Sequence, residues 1–465
     1  MSAVPNTIVL LVSILCRELA MFSALGFVVF AVDEFIVDAL WLGRSLRRRV
    51  MFCGRHTPAT AETLTAAHSP GKFAIFVPAW DESLVISAML SNTVQAYSGQ
   101  SCDVFVGCYP NDPATADAVA SLAYQSVHLM TCENPGPTTK ADCLNQLWLA
   151  MLKHEEQFGF HYKGVVLHDS EDVVSPRELP IFDVMLERFD LVQLPVIPLV
   201  DPTSRFVSGH YCDEFAEAHG KTLIVRELAG AAIPSAGVGC GIRRSILHEL
   251  AQQRGGLPFD VSSLTEDYEL GLAISGMGKR TVFVCLPTEA PPGIVGTSAH
   301  FPATIDDAVR QKARWMVGIA LAGWDRLGWR GGVGERWMRW RDRRALLAAI
   351  LLLSGYAALV LFVLLGFLST FVGVPIVVTT PLLTLLLKLN GVALAWRIAV
   401  RCYLVGRIYG GVEALLSIIR MPIANMIAIM AARRAVSKYW TMSRSGKVIW
   451  DKTAHKFPDK LDSVL

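Results

Sequence analysis

The sequence predicts an α/β domain built on a mostly parallel sheet and held between membrane helices. Three observations lead there. Of the 465 residues 52% are hydrophobic and mean hydropathy is +0.40, well above a soluble domain's usual composition, so part of the chain must meet lipid. Residues 345 to about 369 form an unbroken apolar run long enough to span a bilayer. Between residues 71 and about 330, short β-rich runs alternate with helical periods, the pattern of a sheet covered on both faces.

Residues 1–50 read as a membrane anchor with a basic flank. The apolar stretch from 7 to about 40 is interrupted by Arg17, Glu18, Asp33, Glu34 and Asp38, so a spanning helix of about 20 residues fits only with these charges near its ends. With no basic leader and no small-residue cleavage site, the anchor is expected to be retained. Within 71–330 the strand candidates are KFAIFVPAW, CDVFVGCYP, GVVLHDS, FDLVQLPVI and RTVFVCLP, and ADCLNQLWLAMLKHEEQF has a helical period. Residues 345–389 form a transmembrane hairpin whose second run contains Pro375 and Pro381. Basic clusters at 44–49 and 336–344 flank the central region, whereas the turn at 366–380 has no Lys or Arg. That bias makes the central region cytosolic.

Six arginines (Arg397, Arg401, Arg407, Arg420, Arg433 and Arg434) punctuate residues 390–435. At the bilayer centre each costs about 2.5–3.5 kcal/mol, so this segment is expected as helices lying in the interface. Residues 436–465 are polar and read as a cytosolic tail. With 18% charged residues and a net charge of +2, the chain lacks the basic bias of a nucleic-acid binder. Its ten cysteines include no CxxC pair, so neither a zinc knuckle nor a disulfide framework is indicated and a reducing compartment fits. A channel or transporter would need polar residues in several spans, and two strong spans are evident.

Three clusters carry candidate chemistry. His168-Asp169-Ser170-Glu171-Asp172 follows an apolar strand. Three carboxylates in four residues repel one another, and a hard divalent cation, Mg²⁺ or Mn²⁺, would offset them and a substrate diphosphate. The plain alternative is a solvated acidic turn. Thr265-Glu266-Asp267 opens a helical stretch and suits an N-cap, but a carboxylate there could also serve as a general base for a sugar hydroxyl. Gln311-Lys312-Ala313-Arg314-Trp315 fits an amphipathic helix. Alternatively Gln311 and Arg314 hold a diphosphate while the Trp315 indole stacks on an acceptor sugar.

In this order, with the opening FVPAWDE and the later membrane hairpin, these clusters resemble family 2 glycosyltransferases of the cellulose- and hyaluronan-synthase type, which implies a GT-A fold. The resemblance puts Pro78, Ala79, Trp80 and Asp81 beside the nucleotide base, Asp112 on uracil or ribose, and Lys140 and Asp169 near the nucleotide. Asp267 becomes the catalytic base and Glu266 its neighbour on the acceptor side. Gly239, Cys240 and Gly241 with Arg243 and Arg244 become the loop and helix lining the acceptor side. The spacing Asp169-Ser170-Glu171 keeps the family's DxD form with glutamate third, and Asp172 follows, so either Glu171 or Asp172 holds the metal. Trp450-Asp451-Lys452-Thr453 with His455 resembles a gating loop, with Lys452 and Thr453 reaching the diphosphate.

HDSEDVV, FPATIDDAVRQKARWMVGIALAGWDRLGW and WDKTAHKFP are closer still to the NfrB-like inner-membrane glycosyltransferases. That resemblance implies a multi-pass protein of the bacterial inner membrane that transfers from a UDP-N-acetylhexosamine, UDP-N-acetylmannosamine first, to build a secreted polysaccharide with envelope partners. The family carries a further C-terminal domain tied to cyclic di-GMP, and the present sequence ends at Leu465, ahead of it. The alternatives are transfer of one sugar to a lipid carrier, and a receptor or scaffold without turnover.

Overall fold

The computed structural model describes residues 3–53, 57–289, 293–372, 379–445 and 456–458. Helix α1 (Ala3–Arg48) leads into the α/β domain, which runs β1 (Phe73–Pro78), α2 (Ile86–Ala96), β2 (Cys102–Cys108), α3 (Pro113–Ala120), β3 (Val127–Thr131), α4 (Lys140–Phe158), β4 (Gly164–Leu167) and α5 (Glu178–Met185). It continues through β5 (Leu191–Gln193), β6 (Val196–Pro198), α6 (Gly209–Glu217), α7 (Leu223–Leu228), β7 (Cys240–Arg243), α8 (Arg244–Gln253), α9 (Glu266–Gly276) and β8 (Thr281–Phe283). Three short strands follow, β9 (Pro287–Thr288), β10 (Gly293–Ile294) and β11 (Thr297–Ala299), then α10 (Ile305–Met316), α11 (Gly323–Leu327) and α12 (Val333–Arg343). The chain closes with α13 (Ala345–Val372), α14 (Pro381–Tyr409) and α15 (Gly411–Ser445).

Seven strands form one sheet in the order β3-β2-β1-β4-β7-β5-β8. All neighbours are parallel except β7, which runs antiparallel to both β4 and β5. Every residue of β1 is buried, because strand alternation sends Phe73, Ile75 and Val77 into one core and Ala74 and Phe76 into the other. Helices α2 and α5 cover the first face; α4, α8 and α9 cover the second. Thr139 caps the start of α4 by accepting the Asp142 N–H (3.3 Å), and Gly159 ends the helix in the left-handed region at φ 68°. Trp148 of α4 is wholly buried on the second face, where truncation to alanine costs about 3–5 kcal/mol.

Among the described residues, four helices are long and apolar enough to cross a membrane by length and composition: those at Val9–Met51, Ala345–Thr370, Pro381–Tyr409 and Gly411–Arg444. Two sequence expectations are corrected here. First, α1 is one helix of 46 residues, longer than the span of about 20 residues expected, and Asp33, Glu34 and Asp38 lie inside it. Asp33 binds Arg344 (2.6 Å), Arg341 and the Trp337 indole; Glu34 binds Arg344 (2.6 Å), Arg341 (2.8 Å) and Arg397 (3.0 Å); Asp38 binds Lys221 (2.6 Å) and the Trp396 indole (2.7 Å). Paired acids can sit along a membrane-facing helix where lone ones cannot.

Second, residues 390–435 are not a separate element. Helix α14 runs through residue 390 to Tyr409, Gly410 turns the chain at φ 84°, and α15 carries on into the supposed tail as far as Ser445. Of the arginines that argued against spans, Arg401 pairs with Glu217 (2.5 Å) and Arg397 with Glu34 and Glu217 (3.1 Å). Arg420, fully buried, forms a two-pronged pair with Asp213 of α6 (2.6 and 2.8 Å) and a third bond to Glu413 (2.6 Å). Pro381 starts α14 behind its N-cap Thr380 instead of interrupting a span; Pro375 lies outside the described residues.

Candidate active site

The loops after β1 and β4, the starts of α4 and α9 and one side of α10 meet around one cavity of about 320 Å³, at the carboxyl ends of the strands, where open α/β sheets bind ligands. Its wall includes Pro78, Lys140, Asp169, Glu171, Asp172, Glu266, Asp267, Gln311, Arg314 and Trp315. Residues almost a hundred positions apart therefore face a common space.

Lys140, the first residue of α4, sets its Nζ 2.5 Å from Asp169 Oδ1. Burial works against its charge, but Asp169, Glu266 and Asp267 outweigh that and hold the ammonium well above its ordinary value. Glu266 is pushed up to about 7 by burial and by Asp267 beside it. Burial also raises Asp267, against the pull of Lys140, and its Oδ1 accepts the Tyr268 N–H (2.7 Å). Two glycines make room for this helix start. A Cβ on Gly237, at φ 78°, would fall 2.5 Å from Asp267 Oδ2, and one on Gly318 would fall 2.5 Å from the Thr265 side chain.

The acidic loop is fixed from behind. Ser170 Oγ donates to the Pro78 carbonyl (3.0 Å), and Asp172 Oδ2 accepts the Asp169 N–H (2.9 Å) and faces His168 Nδ1 (3.1 Å). His168 Nε2 lies 3.2 Å from Glu178 Oε2, to which the Tyr97 hydroxyl also donates (3.1 Å). His168 is wholly buried. Although burial opposes its charge, Glu178 and Asp172 raise its pKa well above the ordinary value, which favours an imidazolium held between the two carboxylates.

A profile described as "Glycosyl transferase family group 2" matches residues 164–400, just over half of the chain and all three clusters. The chain belongs to this family. It is 34% identical to "Bacteriophage adsorption protein B" of Escherichia coli (strain K12) over 95% of its own length, and equally to "Bacteriophage N4 adsorption protein B" of Escherichia coli O157:H7. It spans 62% of the length of these relatives. Among solved structures it is similar to the mannosyltransferase PcManGT from Pyrobaculum calidifontis, in complex with GDP-Man and Mn²⁺, with a TM-score of 0.52, 13% identity, and coverage of 91% of this chain and 99% of that one. At that identity the likeness shows the shared fold, a GT-A domain with apolar helices beside it.

Several residues of this family 2 chain lie elsewhere than the sequence suggested. Asp112 accepts the Thr115 N–H (3.3 Å) as the N-cap of α3 and the Asp81 N–H (2.6 Å), holding Asp81 at φ 54°. Neither belongs to the cavity wall; Glu82 and Thr139 stand there instead. Gly239 and Cys240 are not wall residues either. Cys240–Arg243 is the buried strand β7 rather than a loop, Arg243 turns to the carbonyls of Leu186 and Phe189, and Arg244 turns to Glu155 (2.7 Å). Ala236 and Val238, just before β7, line the cavity in their place. Lys452 and Thr453 lie outside the described residues, but Lys456 shortly after them reaches the cavity wall.

Asp201, His300, Phe301 and Asp307 were not foreseen. Asp307 was readable, because it precedes Gln311 by four and Arg314 by seven on one helical face; Asp201 sits in a loop with no periodic signal. Charge in this wall is unbalanced. Eight carboxylates line it against Lys140, Arg314 and Lys456, and burial is the main cause of the upward shifts of Glu266 and Asp267, with Asp267 adding to that of Glu266. Such a set of hard oxygen donors fits Mg²⁺ or Mn²⁺. Glu171 with Asp169 or Asp172 could hold that ion: Asp169 has Oδ1 on Lys140, and Asp172 has Oδ2 on His168 and the Asp169 N–H.

Proposed function

We propose that this chain is an inverting glycosyltransferase of the bacterial inner membrane, with its α/β domain in the cytosol, transferring from a UDP-N-acetylhexosamine to a growing exopolysaccharide. The observation that carries the reading is the convergence of Asp267, Lys140–Asp169, Glu171 and the Gln311-Arg314-Trp315 face on one cavity. Asp267 takes the proton of an acceptor hydroxyl, whose oxygen forms the new bond to the anomeric carbon as the bond to the diphosphate breaks and UDP leaves. Its raised pKa makes it a stronger base than a solvated carboxylate, while Lys140 and Arg314 keep enough of it ionised. Arg314 and Gln311 hold the phosphates, and Trp315 stacks on the acceptor sugar. A divalent metal held by Asp169 and Glu171 would neutralise the leaving diphosphate. PcManGT, with the same fold, was solved with a nucleotide sugar and Mn²⁺, the donor and metal classes proposed for this chain.

Membranes containing the chain, given single UDP-sugars with Mg²⁺ or Mn²⁺, should release UDP, with UDP-N-acetylmannosamine the first donor to try. Asp267→Asn and Arg314→Ala should each abolish release while the protein still inserts; full turnover in Asp267→Asn would remove it as the base. The exposed Cys285 should react with an impermeant thiol reagent from the cytosolic side alone. Transfer of a single sugar to a lipid carrier would appear in the same assay as a product that never lengthens. The relatives' name supports a second reading, a receptor or scaffold without turnover, but such a role would not require Asp169, Glu171, Glu266 and Asp267 to be gathered at one cavity.

A further inference from the structure

At the other end of the sheet, the amino-terminal part of β2, the edge strand β3 and the far end of α4 bring together Asp103, His128 and His154. Among the described residues this is the one group of three or more His, Cys, Asp or Glu side chains whose ligand atoms all lie within 4.8 Å of one another. Local spacing gave no hint of it, because the three come from separate elements.

The donor set is arranged in two layers. Asp103 Oδ2 is held by the Tyr162 hydroxyl and by Lys72 Nζ (2.5 Å), and the same hydroxyl lies 3.0 Å from His154 Nδ1. Asp103 Oδ1 is turned instead toward His128 Nε2, 3.7 Å away, which is too far for a hydrogen bond. That nitrogen is buried and has no hydrogen-bond partner, a cost that native interiors seldom leave uncompensated. The two imidazole rings lie 4.7 Å apart between centroids.

We propose that Asp103, His128 and His154 form a second metal site, selective for a borderline divalent ion such as Zn²⁺ and separate from the hard-cation site of the cavity. Two imidazoles and one carboxylate are the ligands such an ion prefers, with a water completing a tetrahedron. Donors about 2.0–2.1 Å from a tetrahedral zinc lie about 3.4 Å apart, so a modest closing of these side chains suffices. Tyr162 supplies the outer support that orients both Asp103 and His154. Lys72, about one-third exposed beside Asp103 and over the Phe160 ring (5.1 Å), is the competing cation and swings out to solvent as the ion enters. The ion ties α4 to β2 and β3 about 21 Å from Lys140, by the 1.5 Å rise over 14 residues, so it staples the fold and takes no part in sugar transfer.

The test uses the full chain in detergent, stripped with a chelator and titrated with Zn²⁺ by calorimetry, with bound zinc counted by elemental analysis. An Asp169→Asn/Glu171→Gln background removes the two carboxylates proposed to hold the cavity metal, so the result is independent of the transferase reading. One equivalent should bind and raise the melting temperature by about 5 °C at a hundredfold excess over Kd. His128→Gln and His154→Gln should each lose that equivalent while keeping their circular dichroism. Lys72→Met keeps every ligand and removes the competitor, so it should bind Zn²⁺ about tenfold tighter. The proposal is overturned if the parent binds no zinc, if both histidine variants keep the equivalent, or if Lys72→Met binds more weakly. Should a histidine variant unfold, the direction of the Lys72→Met change decides alone.

Discussion

Acidic side chains crowd two regions of this molecule, and the two regions use them differently. In the belt where α1, α14 and α15 meet the α/β domain, the acids are matched by cations: Asp33 and Glu34 share Arg341 and Arg344, Asp38 takes Lys221, Glu217 takes Arg401, and Asp213 takes Arg420. In the cavity, eight carboxylates line the wall against three lysine or arginine side chains. Matched charge is spent on architecture and offers little to a ligand. Surplus charge raises proton affinity and leaves room for a cation and a phosphate-bearing substrate.

The sharpest way to break this comparison is to remove one charged side chain from each region. Asp267→Asn keeps the size of the side chain but removes the base, so kcat should fall by about 10²–10⁴-fold with the melting temperature nearly unchanged. In Arg420→Ala, Asp213 is left buried without its cation and Glu413 keeps only Arg205. Breaking such a pair costs about 3–5 kcal/mol, so the melting temperature and the yield of inserted protein should drop, while the surviving folded fraction keeps its kcat and KM. If Arg420→Ala instead altered kcat at full stability, the belt would be part of the catalytic machinery and the division would fail.

The same division explains what the sequence revealed. Strands β1 and β4 were legible because they are wholly buried and apolar, and the three clusters because each is contiguous. Strand β3, half exposed at the sheet edge, and β7, which reads as Cys-Gly-Ile-Arg, carry no such run; their strand character comes from pairing with β2 and with β4 and β5. The length of α1 was hidden because the partners of its acids lie about 300 residues away. Asp112 carries a second, local signal: an aspartate directly before Pro113 is an N-cap followed by proline at the first helical position. Cys240 is the converse, since nothing local marks it as a strand residue.

His168 belongs to the matched kind of charge although it borders the surplus kind, so it sharpens the boundary between the two regions. Its imidazolium balances Asp172 and Glu178 behind the acidic loop and never reaches the cavity wall. In His168→Gln the amide keeps one hydrogen bond but loses the charge, so Asp172 should loosen its hold on the Asp169 N–H. Losses at such supporting positions are about tenfold or more in metal affinity. The Mn²⁺ concentration for half-maximal activity should rise accordingly, with kcat at saturating Mn²⁺ within about threefold of the parent. A purely structural role would lower stability without moving the metal requirement.

The smallest effect expected is a shift in the pH profile. Asp267 acts as its carboxylate, so activity is present above its pKa and is lost as pH falls through it. Burial raises that pKa above the ordinary carboxylate value, and Glu266 alongside is pushed up to about 7 by burial and by Asp267. The acidic limb of kcat/KM should therefore lie nearer neutrality than for a solvated aspartate, and it should reflect the pair rather than either residue alone. Repulsion between two like charges is mutual, so Glu266→Gln removes a charge that disfavours ionisation of Asp267. The acidic limb should then move to lower pH and narrow to a single titration. In the belt, where carboxylates are already offset by arginine, Glu217→Gln should leave the limb where it was. Loss of turnover across the whole pH range in Glu266→Gln would mean that Glu266, and not Asp267, carries the working base.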